Sequence, residues 1–322
     1  MSLKTKDLFI ANLKRLIRLP APSYNEEKVA REFVEILGLE WEIDETGNVI
    51  SKLSGGRPAN ICLAAHMDQV YFKSGEGFFE SEPSLWHLPN VEWYQDDLRE
   101  FVESGQECIQ TLRGGEILRV RGYELSKDSI KVKVEGDKIV PNELAINVPS
   151  LQVVEDELLF GSPLDDRVGL AALIHIALYF KLKPFQERPS LIFLGTVAEE
   201  AGYRSEIGKV KDIENKVSIL IDSYCPFLKD VSVGKGPVIE YYEEAWSRKA
   251  FRILCEMRDI YPMQIRKHEE DYITSLKYPV GNKELAVISF PLRRLHTSSE
   301  VVSLNDLEHL LEITIRLIEQ LG

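Results

Sequence analysis

The chain has 322 residues, enough for two domains of roughly 150 residues or for one domain carrying a large insertion. Hydrophobic residues make up 44% and charged residues 28%, a balance that excludes a disordered, collagenous or membrane-spanning chain. Lys and Arg total 39 against 52 Asp and Glu, and the net charge of −13 argues against a nucleic-acid partner, which needs a broad basic face.

The N-terminal segment is amphipathic, without the apolar core and small-residue cleavage site of a signal peptide, and no apolar run reaches about 18 residues. The expectation is a cytoplasmic protein with no membrane partner. Cys62, Cys108, Cys225 and Cys255 lie far apart without a C-x-x-C pair and read as reduced thiols.

A helix is expected around Asp7 to Arg18. Pro20 and Pro22 break it, and a second helix restarts at Ser23, whose spacing to Glu26 fits a capping box. Strands are expected at Glu40 to Ile43 and Asn48 to Leu53, around a Thr46-Gly47 turn. Ile61 to Ala65 is a continuous apolar run, as in strands buried on both faces. From Val70 to about Phe160 the pattern changes to short alternating segments, such as Ile117 to Val120 and Ile130 to Val134, which read as a β-rich module. Beyond it come an apolar helix (Val168 to Phe180), strands at Leu191 to Val197 and Val217 to Ile221, a helix near Trp246 to Arg258, a strand at Ala286 to Phe290, and an amphipathic helix from about Asn305 to Leu321. Buried strands alternating with helices predict an α/β fold: a mixed, largely parallel sheet flanked by helices. The expected division is a discontinuous domain of residues 1–69 plus 161–322, with residues 70–160 as an inserted small β-rich domain.

Chemistry-bearing residues follow the buried strands. His66-Met67-Asp68 ends the third strand, Glu199-Glu200 follows Leu191 to Val197, Asp222 ends Val217 to Ile221, and His296 comes within six residues of Phe290. Asp165-Asp166 immediately precedes the apolar helix. In open α/β sheets ligands bind beyond the carboxyl ends of the strands, so these groups should converge. Two imidazoles and several carboxylates at one edge call for cations, and mixed His and carboxylate donors suit zinc, cobalt or manganese, with two ions rather than one.

Each piece alone has a plainer explanation. His66 and Asp68 share a strand face and could be a simple hydrogen-bonded pair. Asp165-Asp166-Arg167 could be dipole-favoured acids at a helix start followed by a solvated Arg. Glu199-Glu200 could be a solvated turn, Asp222 a cap and His296 a surface histidine. The conjunction in one domain carries the argument. His175 reads as a core histidine inside the apolar helix, and His87, His268 and His309 are assigned no role.

The segments HMDQV, GSPLDDRVGLAAL, FLGTVAEEAGYRS, ILIDSYCPF and FPLRRLHTSSEVVSLNDLEHLLEI, in this order and spacing, resemble the co-catalytic metallopeptidases of the glutamyl aminopeptidase type. These are the cytoplasmic tetrahedral (TET) aminopeptidases, some of them labelled endoglucanases. The likeness covers residues 1–68 and 161–322 well and the insertion loosely. It implies that His66, Asp165, Glu200, Asp222 and His296 ligate two divalent ions, zinc or cobalt first and manganese as an alternative, with Asp165 bridging. It implies that Glu199 is the general base and acid acting on a metal-bridging hydroxide, that Asp68 orients His66, and that the Asp165 to Asp166 peptide is cis. Glu199 and Glu200 can divide base and ligand roles only if the backbone turns between them and the strand. The implied activity is removal of N-terminal residues from short peptides by a homo-oligomer. Gln69, where the family often has an acid, and Ser205, where glycine is usual, depart from the pattern.

Competing readings are a related two-metal acylase, dipeptidase or carboxypeptidase, a non-catalytic scaffold of the same fold, and a two-carboxylate glycosidase. In the first group the insertion usually follows the Glu-Glu motif, whereas here it precedes Asp-Asp. A scaffold would be expected to have lost a ligand or the base, and a glycosidase leaves His66 and His296 without a reason. The stretch from Lys73 to Glu107 holds nine acids and two bases. It reads either as a solvated surface or as an entrance that steers peptides with basic or free amino termini.

Overall fold

The computed structural model describes residues 3–75, 78–82, 103, 107–125, 130–135, 140–201, 217–224, 231–241, 248–267 and 284–322. In chain order they form helices α1 (Leu3–Ile17) and α2 (Glu27–Leu37) and strands β1 (Glu40–Ile43), β2 (Val49–Leu53) and β3 (Arg57–His66). Strands β4 (Tyr71–Ser74), β5 (Phe79–Glu82), β6 (Cys108–Thr111), β7 (Ile117–Leu125), β8 (Ile130–Val134), β9 (Leu144–Asn147), β10 (Ser150–Val154) and β11 (Leu158–Ser162) follow. The remainder is α3 (Arg167–Lys181), β12 (Pro189–Thr196), β13 (Val217–Tyr224), β14 (Val238–Tyr241), α4 (Lys249–Met257), β15 (Gln264–Lys267), β16 (Glu284–Arg293), β17 (Glu300–Ser303) and α5 (Leu304–Leu321).

Eleven of these strands make one mixed sheet, in the order β1-β2-β12-β3-β13-β16-β17-β11-β10, with β14 and β15 branching from β16. Its middle, β12-β3-β13-β16, is parallel. These are the strands with continuous apolar runs, because both of their faces are covered. One face packs on the five helices through a core that includes Leu13, Phe33, Leu63, Ile174, Phe193, Ile288 and Leu310. Alternation sends Cys62, Ala64, Ile192, Leu194, Leu220 and Val287 to the other face, where they form a second cluster.

The short alternating segments form a second body. Strands β4-β5-β8-β7-β6-β9 close into a barrel, filled by Phe72, Phe79, Ile109, Val120, Val132 and Ala145. The hairpin β10-β11 adds instead to the edge of the large sheet through β17. Within the acidic stretch, Glu80 lies on β5, whereas Glu92, Asp96, Asp97 and Glu100 lie outside the described residues.

Register brings the functional ends together. Thr196 pairs with His66 across β12 and β3, and Asp222 pairs with Ser289 across β13 and β16, so the parallel strands finish at one edge. Helix α3 starts at that edge. Asp166 caps it by accepting from the Gly169 N–H at 2.9 Å, and a Cβ at residue 169 would fall 2.3 Å from the same carboxylate, so only glycine fits. At the start of α5, Asp306 accepts from Gly234 and Gly236 N–H at 2.6 and 2.7 Å and ties the segment before β14 to the helix.

The β1-β2 turn is organised by Asp44, whose carboxylate accepts from Thr46 N and Oγ1, Gly47 N, and Asn48 N and Nδ2. Its burial opposes ionisation, but the donors from Thr46 and Asn48 win and hold the carboxyl below its ordinary value. Asp44→Ala should destabilise the fold by about 1–2 kcal/mol in urea unfolding at neutral pH. Because the folded pKa is depressed, that contribution is complete above the unfolded value of about 3.9 and is lost as pH falls through the folded one. The difference from wild type should therefore shrink on acidification, and a gap independent of pH would contradict the assignment.

Candidate metal centre

The site begins where β12 ends. Val197, Ala198, Glu199 and Glu200 present four consecutive N–H groups, and each is taken by a side chain from elsewhere. Asn48 Oδ1 accepts from Val197 at 3.0 Å, Glu26 Oε1 from Ala198 at 2.9 Å, and the two oxygens of Asp68 from Glu199 and Glu200, each at 3.0 Å. Ala198 sits at φ 56°, a left-handed conformation that a non-glycine residue adopts only when its surroundings hold it there. The backbone therefore turns at the point where Glu199 and Glu200 must separate.

Ser23 and Glu26 belong to this arrangement and not to a helix cap. The N-cap of α2 is Glu26, and no side chain bonds there. The Ser23 hydroxyl donates to Asp68 Oδ2 at 2.7 Å, and Glu26 Oε1 also accepts from Tyr24 N. The capping-box expectation is thus corrected: the residue types and spacing fit, but both side chains are drawn to the edge of the sheet.

Asp68 is completely buried, with Oδ1 3.3 Å from His66 Nδ1. The opposite ring nitrogen, Nε2, lies 3.2 Å from Asp165 Oδ1 and 3.8 Å from Asp222 Oδ1. The second oxygen of Asp165 faces the other way, 3.5 Å from His296 Nε2, which is itself 3.2 Å from Glu200 Oε2. Two groups result, His66-Asp165-Asp222 and Asp165-Glu200-His296, each offering one nitrogen and two oxygens within 4.8 Å of one another. The Asp165–Asp166 peptide is cis, and Asp166 caps α3 and accepts from His66 N at 3.3 Å.

The donor set fits a divalent ion in each group, since mixed imidazole and carboxylate ligands suit zinc, cobalt and manganese. Glu200 Oε1 and His296 Nδ1 are also buried with no hydrogen-bond partner among the described residues. Without a cation the electrostatics are strained. Burial disfavours charge on His66, but Asp165 and Asp68 outweigh it and hold the imidazole well above its ordinary pKa. For His296, Glu200 and Asp165 overcome burial to the same effect. Burial opposes ionisation of Asp165, yet its contacts with His296 and His66 keep it ionised. Burial raises Asp222 well above the carboxylate range, helped by the Asp166 charge. Glu199 is pushed to about 8 by burial first and then, against the pull of His66, by Glu200, Asp68 and Asp165.

Four further residues, Arg167, Gln69, Glu300 and Asn147, support the site. Arg167, weighed there as a solvated residue, is fully buried. It donates to the carbonyls of Met67 and Asp68 and to Gln69 Oε1, locking the end of β3; burial lowers its pKa to about 10, so it remains charged. Gln69, a departure from the family pattern, also pairs with Ala21 in both directions. Glu300 accepts from Leu164 and Asp165 N–H with one oxygen and from His296 N–H with the other. An H-x-x-x-E spacing was available as a signal for it, but a single glutamate at a strand start is unremarkable. Asn147, at the end of β9, donates Nδ2 to the His296 carbonyl at 2.7 Å.

The other histidines stay apart. His175 stacks edge-on against Phe9, and His309 bonds its own helix through Asn305 O. His87, His268 and Ser205 lie outside the described residues.

The M42 glutamyl aminopeptidase family matches residues 129–313. A curated relative, the lysyl aminopeptidase of Pyrococcus furiosus, is 26% identical over 346 residues, covering 96% of each chain. Among solved structures, a TET aminopeptidase from a marine-sediment Thaumarchaeota archaeon superposes with TM-score 0.75 at 19% identity, over 97% of both chains. The TET1 peptidase of Pyrococcus horikoshii, described as assembling into a tetrahedron or a large octahedral shell, gives TM-score 0.69 at 21% identity, over 96% of this chain and 99% of its own. The fold is thus that of a peptide hydrolase built on a zinc-peptidase-like α/β sheet. The chain belongs to the M42 glutamyl aminopeptidase family.

Both imidazoles are held protonated above their ordinary range, and each must lose its proton to ligate. Cobalt(II) uptake by the chelated protein should therefore release protons and strengthen as pH rises through neutrality. Calorimetry in buffers of different ionisation enthalpy measures this, and affinity that is flat or falls with pH would contradict the assigned groups.

Proposed function

We propose that this peptide hydrolase is a two-metal aminopeptidase that removes N-terminal residues from short peptides. The observation that carries the reading is the division of Asp165 between two groups, one oxygen facing His66 and the other His296. His66, Asp222 and Asp165 would hold one ion, and His296, Glu200 and Asp165 the other. When bound, such a pair polarises the scissile carbonyl and lowers the pKa of the attacking water.

The chain's own groups do the rest. Asp68 faces Nδ1 of His66 and fixes the ring so that Nε2 points at Asp165 and Asp222, the carboxylate-to-histidine support typical of metal sites. Glu199 is not drawn into either group and is the general base and acid. It takes a proton from the attacking water on its carboxylate and delivers it to the leaving amine. Burial first and then the neighbouring carboxylates favour its protonated form, and positive charge beside it works in the opposite direction.

The closed barrel of β4 to β9 supports an inserted unit that begins near residue 70, but the β10-β11 hairpin joins the large sheet, so the proposed boundary moves from residue 160 to the segment between β9 and β10. No helix among the described residues is long and apolar enough to cross a membrane, and the reading places the protein in the cytoplasm. The assemblies named for the related TET peptidases support a homo-oligomer, and zinc or cobalt is the proposed metal.

Two outcomes are expected from aminoacyl-anilide assays. Chelation should abolish turnover and added zinc, cobalt or manganese restore it, whereas activity after complete metal removal would end this reading. Glu199→Gln should lower kcat by about 10²–10⁴-fold with metal content unchanged; loss of metal instead would mean that base and ligand have been interchanged.

A further inference from the structure

His296 is held in an unusual way. Its backbone lies at φ 62°, and Arg294, two residues before it, is at φ 56°. Both are left-handed conformations that side-chain-bearing residues keep only when neighbouring structure enforces them. The enforcing groups come from three places. Glu300 accepts from the His296 N–H at 2.8 Å from within the large sheet. Asn147 Nδ2 donates to the His296 carbonyl at 2.7 Å, and Glu107 accepts from the N–H of Ser298 at 3.1 Å and from its hydroxyl at 3.3 Å.

Asn147 and Glu107 belong to the barrel. Asn147 ends β9 and pairs in register with Ile109 of β6, a residue of the barrel core. Glu107 lies two positions before Ile109, so it points to the same side of β6. Both side chains are nearly inaccessible, at 4% for Glu107 and 2% for Asn147. A carboxylate and an amide placed together at one end of a small barrel are costly to bury. Their bonds run outward, across to the loop that presents His296.

We infer that Glu107 and Asn147 are positioning residues for His296, so that the barrel completes one half of the metal centre and leaves the other half independent of it. The inference rests on the two-metal reading above. Among the described residues, His66, Asp165 and Asp222 receive no hydrogen bond from Glu107 or Asn147: His66 is held by Asp68 and Asp166, and Asp165 by Glu300. Among the described residues, the barrel side chains that reach the site meet the His296 loop, and they act on it through backbone geometry.

The test is cobalt(II) binding to the chelated full-length protein by calorimetry, with urea unfolding of each variant in parallel. Asn147→Ala and Glu107→Ala should weaken one of the two ions by about 10–100-fold, the usual effect of removing an outer partner of a metal ligand, and leave the other at wild-type affinity. The affected ion should be the one lost in His296→Ala and retained in His66→Ala. Glu107→Gln keeps an acceptor for Ser298 and should bind within a few-fold of wild type. Unchanged affinity for both ions, or parallel loss of both together with reduced unfolding stability, would overturn the inference. A wild-type protein that takes up no ion would overturn the two-metal reading itself, and this inference with it.

Discussion

Burying several carboxylates side by side is the constraint to which the rest of this structure is fitted. Asp68, Asp165, Asp166, Asp222 and the Glu199-Glu200 pair meet at one sheet edge, where each loses solvation by water and repels the next. The fold answers with directed donors. The N–H groups of Glu199 and Glu200 donate to Asp68, and those of His66 and Gly169 donate to Asp166, while Arg167 holds the carbonyls at the end of β3 beside them. The parallel strands bring their carboxyl ends level, and the helices behind them supply the apolar support that keeps those ends still.

This arrangement separates two kinds of acid. Asp68, Asp166, Glu26 and Glu300 accept from backbone N–H groups and serve as supports. Asp165 faces imidazoles with both oxygens, and Glu200 keeps one buried oxygen without a partner, so these groups remain available to something else. The proposed partner is a pair of cations, with Glu199 left over to carry protons. The barrel contributes to the same site at a distance by holding the backbone of one imidazole.

Much of this was legible in the sequence, for local reasons. Continuous apolar runs identified β3, β12, β13 and β16, and residues following those runs met as the rule for open sheets requires. The helices from Val168 and Asn305 declared themselves by apolar content or by period. What stayed hidden was set by contacts between distant segments. Ser23 and Glu26 carry the local signature of a helix cap, and only the arrival of Asp68 and Ala198 shows that both are engaged elsewhere. Arg167 has no sequence mark of burial, because its partners are the carbonyls of another strand. Glu107 sits at the end of an acidic run that reads as solvated surface, yet it is enclosed against Ser298. Nothing in the neighbourhood of Asn147 sets it apart from other strand-end asparagines.

The central claim is that Asp165 stands between two cations. Anomalous diffraction at the zinc absorption edge, from crystals grown with zinc, tests it most directly. Two peaks are predicted on opposite sides of the Asp165 carboxylate, one against His66 and Asp222 and the other against Glu200 and His296. A single peak, no peak at Asp165, or ions bound at other residues would contradict the claim.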